Sequence, residues 1–196
     1  MEIQHYGIRL KTIGLADLER MRQWRNAEHV RSNMEYQAEI TPAMQRAWFA
    51  KLDPERNLYF TFGSGTAGIG VVHLKDLDWT ARCGEAGVFV GLSEWLNTHL
   101  PVVAVLTMMD FAFSALRLTK LQAKVRADNP AVLTFNRQLG YRPLPDQADL
   151  PFVRLEVDAS AYADRTAKLR AALTRRHPTP MSIRGASPFW AERLRK

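Results

Sequence analysis

Residues 121–141, LQAKVRADNPAVLTFNRQLGY, constrain the fold more than any other stretch. Leu121 to Arg126 alternates apolar and polar residues, the pattern of a strand with one buried face. Asp128-Asn129-Pro130 is a polar turn with proline placed for the first position of a helix. Val132, Phe135, Asn136 and Leu139 then fall at i, i+3, i+4 and i+7, one face of a short helix. Gly140 stops that helix as a C-cap, and Tyr141 opens another strand. The stretch reads as a β-α-β corner, a unit of layered α/β domains.

The rest of the chain supplies the layers. Tyr6 to Ile13 alternates as a first strand. Residues 15–31 are helical in composition, with Leu15, Leu18 and Met21 inward. Thr41-Pro42 starts a second helix, Thr as N-cap and Pro at the first position. Residues 57–63 and 67–76 read as strands joined by a Ser64-Gly65-Thr66 turn, and Gly84 to Val90 as a third. Residues 100–116 form a helix that is apolar almost all round, with Thr107, Asp110 and Ser114 as one wet stripe; such a helix packs on a sheet. Phe152 to Val157 is a final strand, Ala161 to Leu173 a helix, and 177–190 an irregular tail in which Phe189-Trp190 is placed to dock.

Composition narrows the class. The chain has 196 residues, 46% of them hydrophobic, enough for one domain with a full core. One cysteine, Cys83, excludes an internal disulfide framework and fits a reducing, cytoplasmic setting. The start lacks the apolar core of a signal peptide, and the run near 100–116 is too short and interrupted to span a membrane. Nine Lys/Arg against two acidic residues place all of the net charge of +7 in residues 159–196. The chain therefore divides into a neutral body, 1–158, and a basic extension, 159–196. Such an extension suits nucleic acid, anionic lipid or an acidic partner, or simple solvation. No metal-ligand spacing joins His5, His29, His73, His99 and His177, so no metal is assigned.

The element order, β-α-α-β-β-β-α-β-α-β-β, together with Asn129 and Gly140-Tyr141, resembles the GNAT superfamily of N-acetyltransferases. Trp24-Arg25-Asn26, Val30-Arg31, Met34, Trp48-Phe49, Gly70-Val71, residues 85–90 (EAGVFV) and 110–113 (DFAF) are also similar to that family. The stretch from Trp24 to Phe49 resembles the amino-terminal half of two of the family's groups, the acetyltransferases of nucleotide-linked amino sugars in the pseudaminic-acid pathway and those of ribosomal-protein N-terminal alanines. The resemblance implies a single α/β domain with a mixed, mostly antiparallel sheet flanked by helices, and acetyl-CoA as co-substrate.

It also implies site residues. The cofactor would lie along a bulged strand carrying Val88, Phe89 and Val90, with Thr98 and His99 toward the pyrophosphate and Asn129, Phe135 and Asn136 beside the pantetheine arm. The catalytic candidates are Glu85 and His73. The acceptor would meet Arg25, Asn26, Arg31, Met34, Trp48 and Tyr59, where arginine can pair a phosphate and an aromatic ring can stack. Two departures stand out. Residues 95–101 (WLNTHLP) hold no glycine where the family's phosphate loop is glycine-rich. Asn136 also stands where the family often has a tyrosine acid, and an amide supplies no proton.

The expected function is acetyl transfer to the primary amine of a nucleotide-linked amino sugar or similar small metabolite. A protein N-terminus is the rival acceptor. A catalytically degenerate domain that binds or assembles is the non-enzymatic alternative, and nucleic-acid binding through the basic extension a third. No membrane partner is expected, and pairing of two copies is compatible with each reading.

Overall fold

The computed structural model describes residues 1–63, 68–147 and 149–195. The strands are β1 Glu2–His5, β2 Ile8–Thr12, β3 Leu58–Gly63, β4 Gly70–Asp78, β5 Cys83–Val90, β6 Lys120–Arg126, β7 Arg142–Pro143, β8 Phe152–Asp158 and β9 Ser182–Arg184. The helices are α1 Leu18–Asn26, α2 Glu28–Arg31, α3 Pro42–Ala50, α4 Leu100–Asp110, α5 Pro130–Gln138, α6 Ala159–Arg176 and α7 Pro188–Arg193. Among the described residues the strands form one sheet in the order β7-β8-β6-β5-β4-β3-β2-β1-β9. Every neighbouring pair is antiparallel except β5 and β6. The sheet is mixed and mostly antiparallel, as expected.

The 121–141 corner forms as its residues dictate. Asn129 Oδ1 accepts the Val132 N–H at 3.1 Å, and Pro130 begins α5. At the other end Gly140 takes φ +97°, a left-handed conformation that glycine adopts without steric penalty. The Gly140 N–H reaches Arg137 O and the Tyr141 N–H reaches Asn136 O, closing the paired bonds of a Schellman stop. Thr41 caps α3 as expected, accepting from Met44 N. The expected Ser64-Gly65-Thr66 turn lies outside the described residues.

The two faces of the sheet carry different cores. α4 lies on one face, where Phe60, Phe62, Val72, Leu74 and Leu121 join its residues in one apolar cluster. Each fully buried side chain of this size contributes roughly 1.5–3 kcal/mol. A smaller cluster of Met21, Trp24 and Val71, with Trp48, Tyr59 and Phe89, sits on the other face beneath α1 and α3.

Four expectations from the sequence are corrected. Residues 15–31 do not make one helix: a 3-10 turn precedes α1, and Ala27 at ψ 135° separates α1 from α2. A strand, β1, precedes the expected first one and pairs with it through a tight turn in which Tyr6 and Gly7 both have positive φ. The proposed wet stripe on 100–116 is not wet. Only Ser114 is exposed, while Thr107 and Asp110 are buried. Finally, the 177–190 tail is not irregular throughout. β9 pairs with β1 in it, and α7 begins at its end.

The last three corrections share one cause, tertiary contacts that bring β1, α4 and the α6–β9 segment together. Tyr6 and Tyr162 donate hydrogen bonds to the two oxygens of Asp110, at 2.8 and 3.0 Å, and Arg170 Nε lies 2.8 Å from the same carboxylate. Burial first, then the carboxylate they face, holds both phenols above their ordinary pKa. Further along, Trp190 is buried, donates to Pro54 O at 3.1 Å and meets the ring of Trp79 edge-on. The Arg193 guanidinium lies 3.9 Å from the centre of the Trp79 ring. No described helix is long and apolar enough to cross a membrane.

Candidate active site

The sheet opens where its two parallel strands part. β5 and β6 pair only at Cys83–Lys120, Gly84–Leu121 and Glu85–Gln122. β4 stays with β5 as far as Gly70–Val90, and β8 stays with β6 over its whole length. From Ala86 to Val90 the edge of β5 facing the opening therefore has no strand against it among the described residues. Backbone N–H and C=O groups on such an edge are available to an extended ligand.

His73 reaches this edge because Gly87 lies opposite it. The two are register partners, and a Cβ on Gly87 would sit 2.4 Å from the imidazole. The ring lies against Tyr59, centroids 5.1 Å apart, and Tyr59 meets Trp48 edge-on at 5.0 Å. Burial, then the positive charges of Lys75 and Arg25, pushes His73 down to about 3, so it is neutral near pH 7. Burial raises Tyr59 to about 12. Glu85, the other catalytic candidate, shares this face but has a partner: Lys75 Nζ lies 3.0 Å from its carboxylate.

The lowered His73 value has a measurable consequence. Its folded pKa is below the unfolded value near 6.5, so the unfolded chain binds the extra proton. The stability this group contributes is complete above about pH 6.5 and is lost as pH falls toward 3, by at most about 1.4 kcal/mol per unit. Denaturant melts of His73→Gln between pH 7 and 4 should show a shallower acid dependence than the parent. Parallel curves would refute the assignment.

The far wall of the opening is the end of β6 and the start of α5. The segment after α2 is bonded to that wall. Arg126 Nη1 donates to Ser32 O at 3.0 Å, Asn129 Nδ2 donates to Asn33 Oδ1 at 2.7 Å, and Lys124 pairs with Glu35. Residues 32–35 thus link the α1 side to the β6 side. His29 Nε2 lies 3.1 Å from Val90 O, at the end of the free edge. No local pattern signals the His29, Asn33 or Arg126 contacts, because each joins segments more than sixty residues apart.

The other candidates fall at different places. Asn26 forms a two-way clamp, Nδ2 to Ile40 O and Ile40 N to Oδ1, both 2.9 Å, so its amide holds the α2–α3 loop. Arg31 pairs with Glu28, and Met34 is half-buried on the linking segment. Val88 and Val90 point to the α4 side of β5 and Phe89 to the α1 side. Phe135 is half-buried against the main core. Asn136 is buried and donates to Val132 O at 2.9 Å, a bond within its own helix. Thr98 donates to Trp95 O at 2.9 Å, and exposed His99 occupies the N-cap of α4 without a side-chain cap. Pro101 in the first turn of α4 has no N–H to offer an anion. No group of three potential metal ligands occurs among the described residues.

The parted strands, the α4 layer and the helices over β3 to β5 agree with a family model for the acetyltransferase (GNAT) domain, which matches residues 8–142. The chain belongs to the GNAT family of acetyltransferases. As a member it is an acetyl-CoA-dependent N-acetyltransferase. Solved structures share the fold at low identity. A spermidine N-acetyltransferase from Vibrio cholerae in complex with CoA and spermine is 17% identical with a TM-score of 0.72, over 80% of this chain and 98% of that one. A domain from Methanocaldococcus jannaschii is 16% identical with a TM-score of 0.68, over 77% and 97%. A dodecameric form of the Vibrio cholerae enzyme is 15% identical with a TM-score of 0.65, over 82% and 98%. No curated relative matches in sequence.

A hollow of 310 Å³ between β1, α6 and β9 lies on the α4 side of the sheet, floored by Asp110 and Arg170. It is separate from the opening, and its charged groups are those that bind α6 to the sheet.

Proposed function

We propose that this acetyltransferase acetylates a primary amine on a small metabolite, with a nucleotide-linked amino sugar as the preferred acceptor. The observation that carries the reading is the free edge of β5 with His73 laid across it at Gly87. Trp48 and Tyr59 beside it offer ring faces and edges to a base or sugar. Neighbours in fold include enzymes that act on spermidine, which supports a small amine over a protein N-terminus. The branches that handle amino sugars or ribosomal-protein N-termini are a finer resemblance within this reading. The body of the domain is 1–158, and residues 159–196 are its basic extension.

Acetyl-CoA supplies an acetyl thioester; the new bond is N–C and the broken one C–S. The roles of the chain follow from position. The β5 edge from Val88 to Val90 holds the pantetheine arm and offers N–H groups to the thioester oxygen. Thr98 and His99 lie toward the pyrophosphate, and Asn129 and Phe135 border the arm. Neutral His73 accepts a hydrogen bond from the attacking amine and orients it. As the N–C bond forms the nitrogen becomes acidic, so a weak base suffices to take its proton; His73 or Glu85, the latter through water, fills that role. Asn136 cannot protonate the sulfur, and the thiolate takes its proton from water.

Calorimetry with acetyl-CoA on the full chain, followed by transfer assays on sugar nucleotides, peptides and simple amines, tests the proposal. Micromolar binding with turnover of a small amine is expected. Turnover of peptides alone would overturn the acceptor class. Absence of acetyl-CoA binding would leave a degenerate domain.

A further inference from the structure

α1 carries an unpaired cation on its inward face, the side of the sheet that holds Tyr59 and His73. Leu18, Met21 and Arg25 fall at i, i+3 and i+7, so Arg25 shares the inward face of the helix with two buried apolar residues. Its Nη1 is buried and has no hydrogen-bond partner among the described residues. Tyr59 and His73 lie within its field. Burial lowers the pKa of the guanidinium, and no carboxylate offsets that cost.

The acidic residues of α1 and its N-cap, of α2 and of β5 carry ion pairs of their own. Asp17 pairs with Arg20 at 2.7 Å, Glu19 with Arg22 at 2.7 Å, Glu28 with Arg31 at 2.6 Å and Glu85 with Lys75 at 3.0 Å. A polycation needs carboxylates facing it, and this side of α1 presents an unpartnered guanidinium. An oxyanion needs a planar pair of N–H donors, which is what Arg25 offers.

We infer that Arg25 recognises an anionic oxygen group on the acceptor, so that the substrate class is a primary amine bearing a carboxylate or phosphate rather than a polyamine. The inference rests on the acetyltransferase reading. It deepens that reading by separating this chain from the spermidine enzymes that share its fold.

The experiment measures kcat/KM on the full chain for matched acceptors: glucosamine against glucosamine 6-phosphate, an amino-acid amide against the free amino acid, and spermidine. Arg25→Ala and Arg25→Lys are run beside the parent, with acetyl-CoA affinity measured for each to show that the fold is intact. The parent should prefer the charged member of one pair by about ten- to a hundredfold, the pair identifying phosphate or carboxylate. Arg25→Ala should remove the preference, mainly through KM, and Arg25→Lys should restore part of it. Preference for spermidine or the uncharged members, a preference that survives Arg25→Ala, or acetyl-CoA binding without turnover of either charged member would each overturn the inference. Failure of the parent to bind acetyl-CoA would overturn the acetyltransferase reading itself, and the inference with it.

Discussion

Asp110→Ala is expected to destabilise the chain by about 3–5 kcal/mol, read as a drop in denaturant midpoint. The carboxylate is 2% exposed and is met by Tyr6, Tyr162 and Arg170 from three separate segments. Removing it leaves the Tyr6 hydroxyl without an acceptor, the Tyr162 hydroxyl with only Leu106 O at 3.3 Å, and a guanidinium without a counter-charge. Asp110→Asn keeps the shape and one acceptor oxygen but loses the charge. It should cost less, about 1.5–3 kcal/mol. Hydrogen exchange in Asp110→Ala should rise first in α6 and β9. A loss under about 1 kcal/mol for the alanine variant would show that the cluster does not hold α6 to the sheet.

Gly91→Ala is the second large effect, expected at the candidate active site. A Cβ on Gly91 would lie 2.1 Å from the Trp24 ring, which is buried beside Met21 and Val71. The indole is rigid and enclosed, so α1 or the end of β5 must move. Overpacking of this kind costs about 1–3 kcal/mol. The displaced elements carry Arg25 and the free β5 edge, and a shift near 1 Å in positioning groups lowers turnover by about a hundredfold. A stably folded Gly91→Ala with unchanged kcat/KM would show that Trp24 can withdraw without disturbing the cleft.

Much of this architecture is legible in local spacing. Asn129-Pro130 and Gly140 specify both ends of α5, and Thr41-Pro42 specifies the start of α3, because caps depend on residues within a few positions. The apolar run 100–116 correctly specified a helix packed on the sheet. The same residues misled at Asp110, since polar side chains at i and i+3 suggest water unless their partners are known. Those partners, Tyr6 and Tyr162, are 104 and 52 residues away. β9 was illegible for a related reason. A three-residue strand among prolines has too little pattern to register, and it exists because β1 offers an unfilled edge.

At the site, the resemblance pointed to β5, and the Gly87–His73 register explains how an imidazole lies beside it. Arg25 and Asn26 adjoin in sequence and looked equivalent. One residue of helix rotation, about 100°, separates an inward-facing cation from a loop clamp.

The pairing of Glu2 with Arg184 gives the sheet an order in time as well as in space. At translation rates of 5–20 residues per second, β1 emerges about ten seconds or more before β9 exists to pair with it. During that interval the outer edge of β1 is bare, an adhesive surface for any other strand nearby. Closing so long a loop also comes late in refolding, after local hairpins have formed. Misassembly of this chain should therefore begin at its first strand, and expression at lower temperature, or with a chaperone that shields nascent edges, should raise the yield of folded protein.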